Sequence, residues 1–363
     1  MANIFFGRGK REQLIVEVCS NGLRALKLSN DEESTIQSVF LSAWPYRLSK
    51  EEEDFTDQLA KSLKPLAVQF PPKQHSVIVC STDHSNRQRF VQTAIIEDED
   101  ELEEMLLSKK MMPSEDDYIS EIHVVGSSIS EVKKSQDVLV QSVFRFPAQD
   151  TMDALEELGY ELESLEYPTN SLAPYYEAYY DEGSESHDVI LAMDWETCIY
   201  NVYHHGELRF SHCIPFKMST FVETIIAKME LDENSAILLV QNNLFSYVIK
   251  NEPCPHDIPE DIVQEIRAEV EFLKHELDKC RSFYISRALE WKLEDVSKII
   301  CTGLLAEIPV LIEQIKESLS IPVTSYKPVE EMTLTEEVEA KLKGGLHYQF
   351  NCVLGLALAY QGE

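Results

Sequence analysis

The stretch His187–Lys217, HDVILAMDWETCIYNVYHHGELRFSHCIPFK, decides the fold. Its β-branched and aromatic runs, bounded by turn residues, predict strands at 189–194, 198–204 and 208–214, with a turn at His205-Gly206-Glu207. The start of the chain repeats this plan. LIVEVCSNGLRALKL, residues 14–28, reads as a strand that turns and runs back, and a further strand follows at 36–42. In each unit an apolar strand ends on a carboxylate, Glu17 in the first and Asp194 in the second. One such unit per half predicts an internally doubled α/β architecture.

A chain of 363 residues is long enough for two or three domains of about 100–200 residues each. Its 32 basic and 64 acidic residues give a net charge of −32, which repels phosphate backbones and disfavours docking on anionic lipid. Nucleic-acid binding is therefore not expected. A basic partner surface suits this charge, and so does solubility alone. The 12 glycines are about half the usual share of roughly 7%, a poor supply for loops that cradle phosphate.

The eight cysteines are scattered without a CxxC pair, in apolar contexts where a free thiol packs as a small hydrophobe. They point to a reducing compartment. Cys80-Ser-Thr-Asp83-His84, Cys254-Pro-His256 and His204-His205 are too short and isolated to make a zinc site by spacing, so no metal is expected. His212 beside Cys213 offers no arrangement that would activate a thiol. Met1–Arg11 lacks the apolar core of a signal peptide, and no apolar run approaches the roughly 20 residues of a membrane span. A cytoplasmic protein with no direct membrane insertion is the expectation.

Taken in order, the chain predicts a helix over 50–67 with Ser49 as N-cap, then a buried strand at 76–80. Residues 83–150 read as a strand–helix–strand–strand insert, with strands at 89–95, 118–125 and 137–145. Its helix begins in the acidic run Glu97–Glu104, which is either a solvated face or a dock for a basic tail. A helix at 149–158 closed by Gly159, a strand at 160–167 and a helix at 169–180 lead into the acidic linker Asp181–Ser186. Beyond the second meander come a helix at 218–230 and strand-like runs at 235–241 and 244–249. A long helix over 259–290 follows, with a core stripe of Ile262, Ile266, Val270, Leu273, Leu277 and Tyr284. A strand at 298–302, a turn at Gly303, a helix at 306–319 and a strand at 323–326 precede a closing helix at 347–360.

With its elements laid out, the chain resembles, over roughly residues 12–360, the PilM family of type IV pilus assembly proteins, relatives of FtsA in the actin-like ATPase superfamily. LIVEVCSNGLRALKLS sits where the family has its first phosphate hairpin, of the type DIGSSSIKAVEL. DELEEMLLSKKMMPSEDDYISEIHVVG is similar to the family's insert, and QDVLVQSVFRFPAQDTMDALEELGYELESLEYPTNSLAPYYE to the exit from it. ELDKCRSFY (276–284) resembles the helix before the adenosine motif, KIICTGLLAEIPVLIEQIKESLSIPVTSY the motif itself, and NCVLGLALAY the closing helix. The resemblance implies a duplicated actin-like (RNase H-like) α/β fold. Residues 12–82, completed by 151–180 and 345–360, would form the first subdomain, 83–150 a small α+β insert, and 187–344 the second half, with its helical part at 218–291.

Departures from the family pattern bear on mechanism. An actin-like ATPase holds its triphosphate between two hairpins, with a carboxylate from each side managing Mg²⁺ and water. Here Glu17 stands for the first Asp and Cys19 for the following glycine, while Ser20 and Asn21 keep the small polar character. Asp194 is retained, but Glu196 aligns with the glycine after it and Trp195, a candidate plug, intervenes. A carboxylate there would repel a γ-phosphate. Gly303 is what remains of the paired adenosine-motif glycines; Leu304 and Leu305 put side chains where backbone should approach, and Val310 replaces the glycine after Pro309. Glu17 and Asp194 either cap turns or retain Mg²⁺-nucleotide.

The resemblance thus implies a scaffold of a type IV pilus or type II secretion inner-membrane platform with a degenerate nucleotide cleft spanning Glu17, Ser20, Asn21, Asp194, Glu196 and Gly303. No catalytic residues, cofactor or metal are expected. Its partners would be the cytoplasmic tail of a bitopic inner-membrane assembly protein and, as a further candidate, the secretion or pilus ATPase complex. The protein would sit at the inner membrane through those partners. Two alternatives stay open: a divergent, active Mg-ATPase of the same fold using Asp194 and Glu17, and a self-associating polymer, against which the high like charge argues.

Overall fold

The computed structural model describes residues 12–19, 22–29, 35–44, 52–82, 86–129, 134–178, 185–195, 197–287, 295–330, 332–342 and 347–361. Ser20, Asn21, Glu196, the N-cap assigned to Ser49 and linker positions 181–184 lie outside the described residues. The first half carries strands β1 (Glu12–Cys19), β2 (Gly22–Leu28), β3 (Ile36–Ala43) and β4 (His75–Thr82), then β5 (Arg87–Ala94), β6 (Tyr118–Ile129), β7 (Lys134–Phe144) and β8 (Glu161–Glu166). The second carries β9 (Asp188–Met193), β10 (Cys198–His204), β11 (Glu207–Ile214), β12 (Lys298–Gly303) and β13 (Val323–Ser325). Eleven α-helices are described: α1 (Glu52–Gln69), α2 (Glu99–Ser108), α3 (Arg145–Glu157), α4 (Ala173–Glu177), α5 (Met218–Met229), α6 (Glu233–Leu239), α7 (Phe245–Lys250), α8 (Glu260–Arg287), α9 (Pro309–Leu319), α10 (Glu336–Lys341) and α11 (Asn351–Gln361).

Two five-stranded sheets share one topology. The first runs β3-β2-β1-β4-β8 and the second β11-β10-β9-β12-β13. In each, the meander pairs antiparallel and the later strands add in parallel on the other side of the first. This is the duplication that the two hairpin stretches predict. The third sheet, β5-β7-β6, belongs to the insert.

Because side chains alternate along a strand, each sheet buries two faces. In the first, Leu14, Val16, Val18, Val77 and Val79 pack with Leu59, Leu63 and Leu66 of α1 and Leu155 of α3. Ile15, Leu26, Ile78 and Cys80 face the other way, onto Val353, Leu354 and Ala357 of α11. In the second, Val189, Leu191 and Met193 join the large core that includes α5 and α8, while Ile190, Ala192 and Ile300 face Tyr175 and Tyr176 of α4. The closing helix therefore returns to the first sheet, as expected. It runs close against the α4 segment: a Cβ added at Gly355 would lie 2.0 Å from the Ser171 carbonyl oxygen. The Tyr175 hydroxyl donates to the Asn351 carbonyl. Both central helices thus lie between the sheets.

The insert keeps the strand–helix–strand–strand order. Asp98 caps α2, accepting from the Glu101 amide at 2.9 Å, and Glu99, Asp100 and Glu101 load its first turn, where the helix dipole favours anions. Leu102 and Leu106 seat the helix on Val91, Val138 and Val140. The insert also reaches the second half. Phe90 meets Phe210 at 5.9 Å between ring centroids, Arg209 donates to the Val125 carbonyl at 3.2 Å, and Gln88 bridges Ser211 and Thr169.

Several local expectations need correction. The strand-like runs at 235–241 and 244–249 are α6 and α7, joined by a π-helical turn at Val240–Leu244. Asp232 caps this segment by accepting from the Ser235 amide at 3.0 Å. Ala236, Leu239, Val240, Leu244, Phe245 and Val248 then form one buried face at helical spacing against the core. A short apolar run cannot choose between strand and helix by its own pattern, and the neighbouring helices decide it. The helix expected at 149–158 begins earlier, as α3 at Arg145, with Pro147 in its first turn, where the missing N–H costs nothing. The expected helix at 169–180 is a 3₁₀ turn at Asn170–Leu172 followed by the short α4. The stripe on α8 is core throughout.

Candidate functional site

The two hairpins converge on one small cleft lined by Glu17, Cys19, Arg24, Thr82, Asp194, Trp195, Thr197, Tyr348 and Gln349. The alternation that fixes the sheets explains why. Glu17 shares its face of β1 with Ile15, and Asp194 continues the parity of Ile190 and Ala192, so both carboxylates turn toward the space that α4 and α11 occupy.

Glu17 does not end its strand. It sits two residues inside β1, directly opposite Arg24 in the β1–β2 ladder. The Arg24 guanidinium lies 3.4 Å from Glu17 Oε1 and donates to Cys19 Sγ at 2.8 Å. Thr82 donates to the same Glu17 oxygen at 2.5 Å, whereas Oε2 is buried and has no protein hydrogen-bond partner. Burial pushes the Glu17 carboxyl above its usual range, against the opposing pull of Arg24 and Thr82.

Asp194 lies one residue beyond β9, its amide closing the turn onto the Thr197 carbonyl at 2.9 Å. Burial, reinforced by the neighbouring Glu17 charge, raises its carboxyl to about 7, while Arg24 and a hydrogen bond with Asn351 oppose the rise. Asn351 is held by the Thr302 hydroxyl, which donates to its Oδ1 at 2.9 Å. Gly303, at the end of β12, has φ +71°, and a Cβ there would lie 2.5 Å from the Met193 carbonyl and 3.0 Å from Asp194 Oδ1. Only glycine fits this close strand approach, and that demand exists without any ligand.

Side chains close the rest of the space. Trp195 is buried, 6.4 Å from the Tyr348 ring. Gln241 and Gln349 donate to the Tyr348 hydroxyl. The segment carrying Tyr348 is fastened by His347, which lies 2.8 Å from Glu307; Lys327 pairs with the same carboxylate at 2.7 Å. The hydrogen bond with His347, followed by that with Lys327, holds the Glu307 carboxyl down at about 2 against its burial. Leu304 and Leu305 are fully buried. The room left in the cleft for a water-sized sphere is about 10 Å³, scarcely one water.

The structure therefore brings Glu17, Asp194 and Gly303 together and places Trp195 and Tyr348 across the opening. Arg24, Thr82, Asn351 and Tyr348 escape the sequence reading. Arg24 was within reach: pairing Cys19 with Gly22 makes positions 17 and 24 cross-strand neighbours. The others arrive from distant segments and leave no local signal. His212 and Cys213 have no catalytic setting, because burial pushes the Cys213 thiol up and makes it inert.

No family model matches the chain, and no curated protein matches it significantly. Among solved structures, a chain of the PilM–PilN type IV pilus biogenesis complex superposes with a TM-score of 0.73 at 17% identity, covering 97% of this chain and 99% of that one. A Bacteroides thetaiotaomicron protein with an actin-like ATPase fold and unknown function gives 0.48 at 14% identity, covering 92% and 96%. The ethanolamine utilization protein EutJ from Carboxydothermus hydrogenoformans gives 0.48 at 8% identity, covering 97% and 90%. The fold is duplicated, α/β and actin-like, with the architecture seen in the pilus complex.

Proposed function

We propose that this protein is an actin-like scaffold of a type IV pilus or type II secretion platform that has given up nucleotide chemistry. In this reading it binds the cytoplasmic tail of a bitopic membrane assembly protein, with the secretion or pilus ATPase complex as a further partner. The observation that carries the scaffold reading is the end-to-end superposition on a chain of the PilM–PilN complex. The net charge of −32 suits a basic juxtamembrane tail. Among the described residues no helix is long and apolar enough to cross a membrane, and in this reading the partner's own membrane span carries the attachment.

Loss of nucleotide chemistry is supported by the contents of the cleft. Arg24 supplies to Glu17 the positive charge that a bound cation would otherwise bring. Trp195 and Tyr348 line the cleft between the hairpins, and Leu304 and Leu305 are buried in the core of the second half. The experiment is a pair of calorimetric titrations, with Mg-ATP and with synthetic tails from the bitopic proteins of the same cell's pilus and secretion machines. Absent or millimolar ATP affinity and salt-sensitive tail binding are expected. Micromolar ATP binding overturns the first part, and no affinity for any tail overturns the second.

One observation favours a second reading, an active Mg-ATPase: Glu17 and Asp194 line the same cleft. It requires Mg²⁺-dependent turnover that Asp194→Ala abolishes.

A further inference from the structure

Away from the cleft, three ligating side chains meet at the end of the second hairpin. Glu185, His204 and His205 each offer one oxygen or nitrogen atom, and these atoms lie within 4.8 Å of one another. Sequence spacing dismisses His204-His205 as an isolated pair, because Glu185 lies 19 positions before His204 and joins it only through the fold.

We propose that Glu185, His204 and His205 form a site for one divalent transition cation of the zinc class, through one carboxylate oxygen and two imidazole nitrogens. A fourth position is open to water or to a ligand from a partner.

Backbone geometry makes adjacent histidines usable together. Successive side chains of a strand face opposite sides, so neighbours cannot normally share a cation. Here β10 ends at His204, and His205 with Gly206 forms a tight turn with φ of +53° and +77°. That turn breaks the alternation and brings the two rings to 3.9 Å between centroids. A positive φ is uncommon for a residue with a Cβ, and His, like Asn and Asp, adopts it more readily than most.

Distances suit the chemistry. Tetrahedral zinc with bonds of about 2.0–2.2 Å sets neighbouring ligand atoms roughly 3.3–3.6 Å apart. Glu185 Oε2 and His205 Nε2 already lie 3.3 Å apart. His204 is the anchored ligand: its Nδ1 lies 3.0 Å from the Ser186 carbonyl, the second-shell bond that fixes tautomer and ring in metal-binding histidines. Its ring stacks on His187 at 3.8 Å, and His187 Nδ1 lies 2.6 Å from the Tyr284 hydroxyl. Arg209, a nearby cation, is paired with Glu207 at 2.5 Å, which reduces its repulsion of a metal. Two imidazoles and one carboxylate select Zn²⁺, Co²⁺ or Ni²⁺ over Mg²⁺ and Ca²⁺. A bound ion would staple the segment entering β9 to the β10–β11 hairpin.

The test uses the full chain without a histidine tag, stripped with chelator. Zn²⁺ is titrated calorimetrically and Co²⁺ by its visible d–d absorption. One equivalent is expected, with a tetrahedral Co²⁺ spectrum and no competition from millimolar Mg²⁺. Glu185→Gln and His205→Gln change exposed residues and should leave metal-free thermal unfolding unchanged. Each should weaken Zn²⁺ binding by at least the roughly 10–100-fold that loss of an outer-shell partner costs. The proposal is overturned if the stripped chain binds no metal, or if binding survives both substitutions undiminished. It is likewise overturned if several weak equivalents show an adventitious ion only; Glu185 and His205 are then a surface ion pair.

Discussion

The two hairpins share strand order and pairing, yet they give their carboxylates different partners. In the first, the ladder runs past Glu17 and sets Arg24 across from it, so a buried acid is matched by a buried base. In the second, the ladder stops at Met193, and Asp194 stands beyond it against Asn351 and Gly303 with no base of its own. Burial raises both carboxyls; at Glu17 the paired Arg24 and Thr82 oppose the rise, whereas at Asp194 the neighbouring Glu17 charge adds to it. Duplication of a backbone therefore does not duplicate its electrostatics. Where a ladder ends decides whether a cross-strand partner exists.

The largest effect should come from breaking the pair in the first hairpin. Arg24→Ala leaves Glu17 charged and buried without its base, and should cost about 3–5 kcal/mol in denaturant unfolding. Adding Glu17→Gln to that variant should restore much of the loss, because the uncompensated charge is then gone. A loss of under ~1 kcal/mol for Arg24→Ala would show that the hairpins are electrostatically alike.

At the second hairpin the backbone is the sensitive element. Gly303→Ala puts a methyl 2.5 Å from the Met193 carbonyl at φ +71°, and a loss of about 1–3 kcal/mol is expected from strain and overpacking. Wild-type stability at this position would mean that β12 can draw back from β9.

The smallest effect is a slope with pH. Folded Asp194 holds its proton up to about 7, whereas an unfolded Asp releases it near pH 4. The stability gained from that proton is full below about pH 4 and is lost as pH rises through about 7. Asp194→Asn should flatten this decline between about pH 4 and pH 7 in chemical unfolding curves. A residual slope of the same sign remains from Glu17, whose carboxyl is also raised. An unchanged slope in the variant would remove Asp194 as its source.

Much of this was legible in the chain. Short β-branched apolar runs bounded by turn residues, such as LIVEV and DVILAM, place β1 and β9, and the spacing of Ile262, Ile266, Val270, Leu273 and Leu277 places α8. The runs at 235–241 and 244–249 were misread because an unbroken apolar run fits both periods, and only packing against the surrounding core selects the helix. The sequence marks Glu17 and Asp194 as carboxylates closing apolar runs and Gly303 as a turn after a strand, although Glu17 lies two residues inside β1. Thr82, Asn351 and Tyr348 carry no such mark, because they belong to other segments.

The sequence by itself determined the duplicated sheets, the acidic surface and the pair of carboxylates, all of which follow from local periodicity and composition. Only the tertiary structure decided what those carboxylates face: Arg24 and Thr82 on one side, Asn351 and Gly303 on the other, with Trp195 and Tyr348 across the opening. The same holds for Glu185 meeting His204 and His205. Charge, proton affinity and ligand capacity depend on neighbours within a few ångströms, and in a doubled fold those neighbours come from segments far apart in the chain.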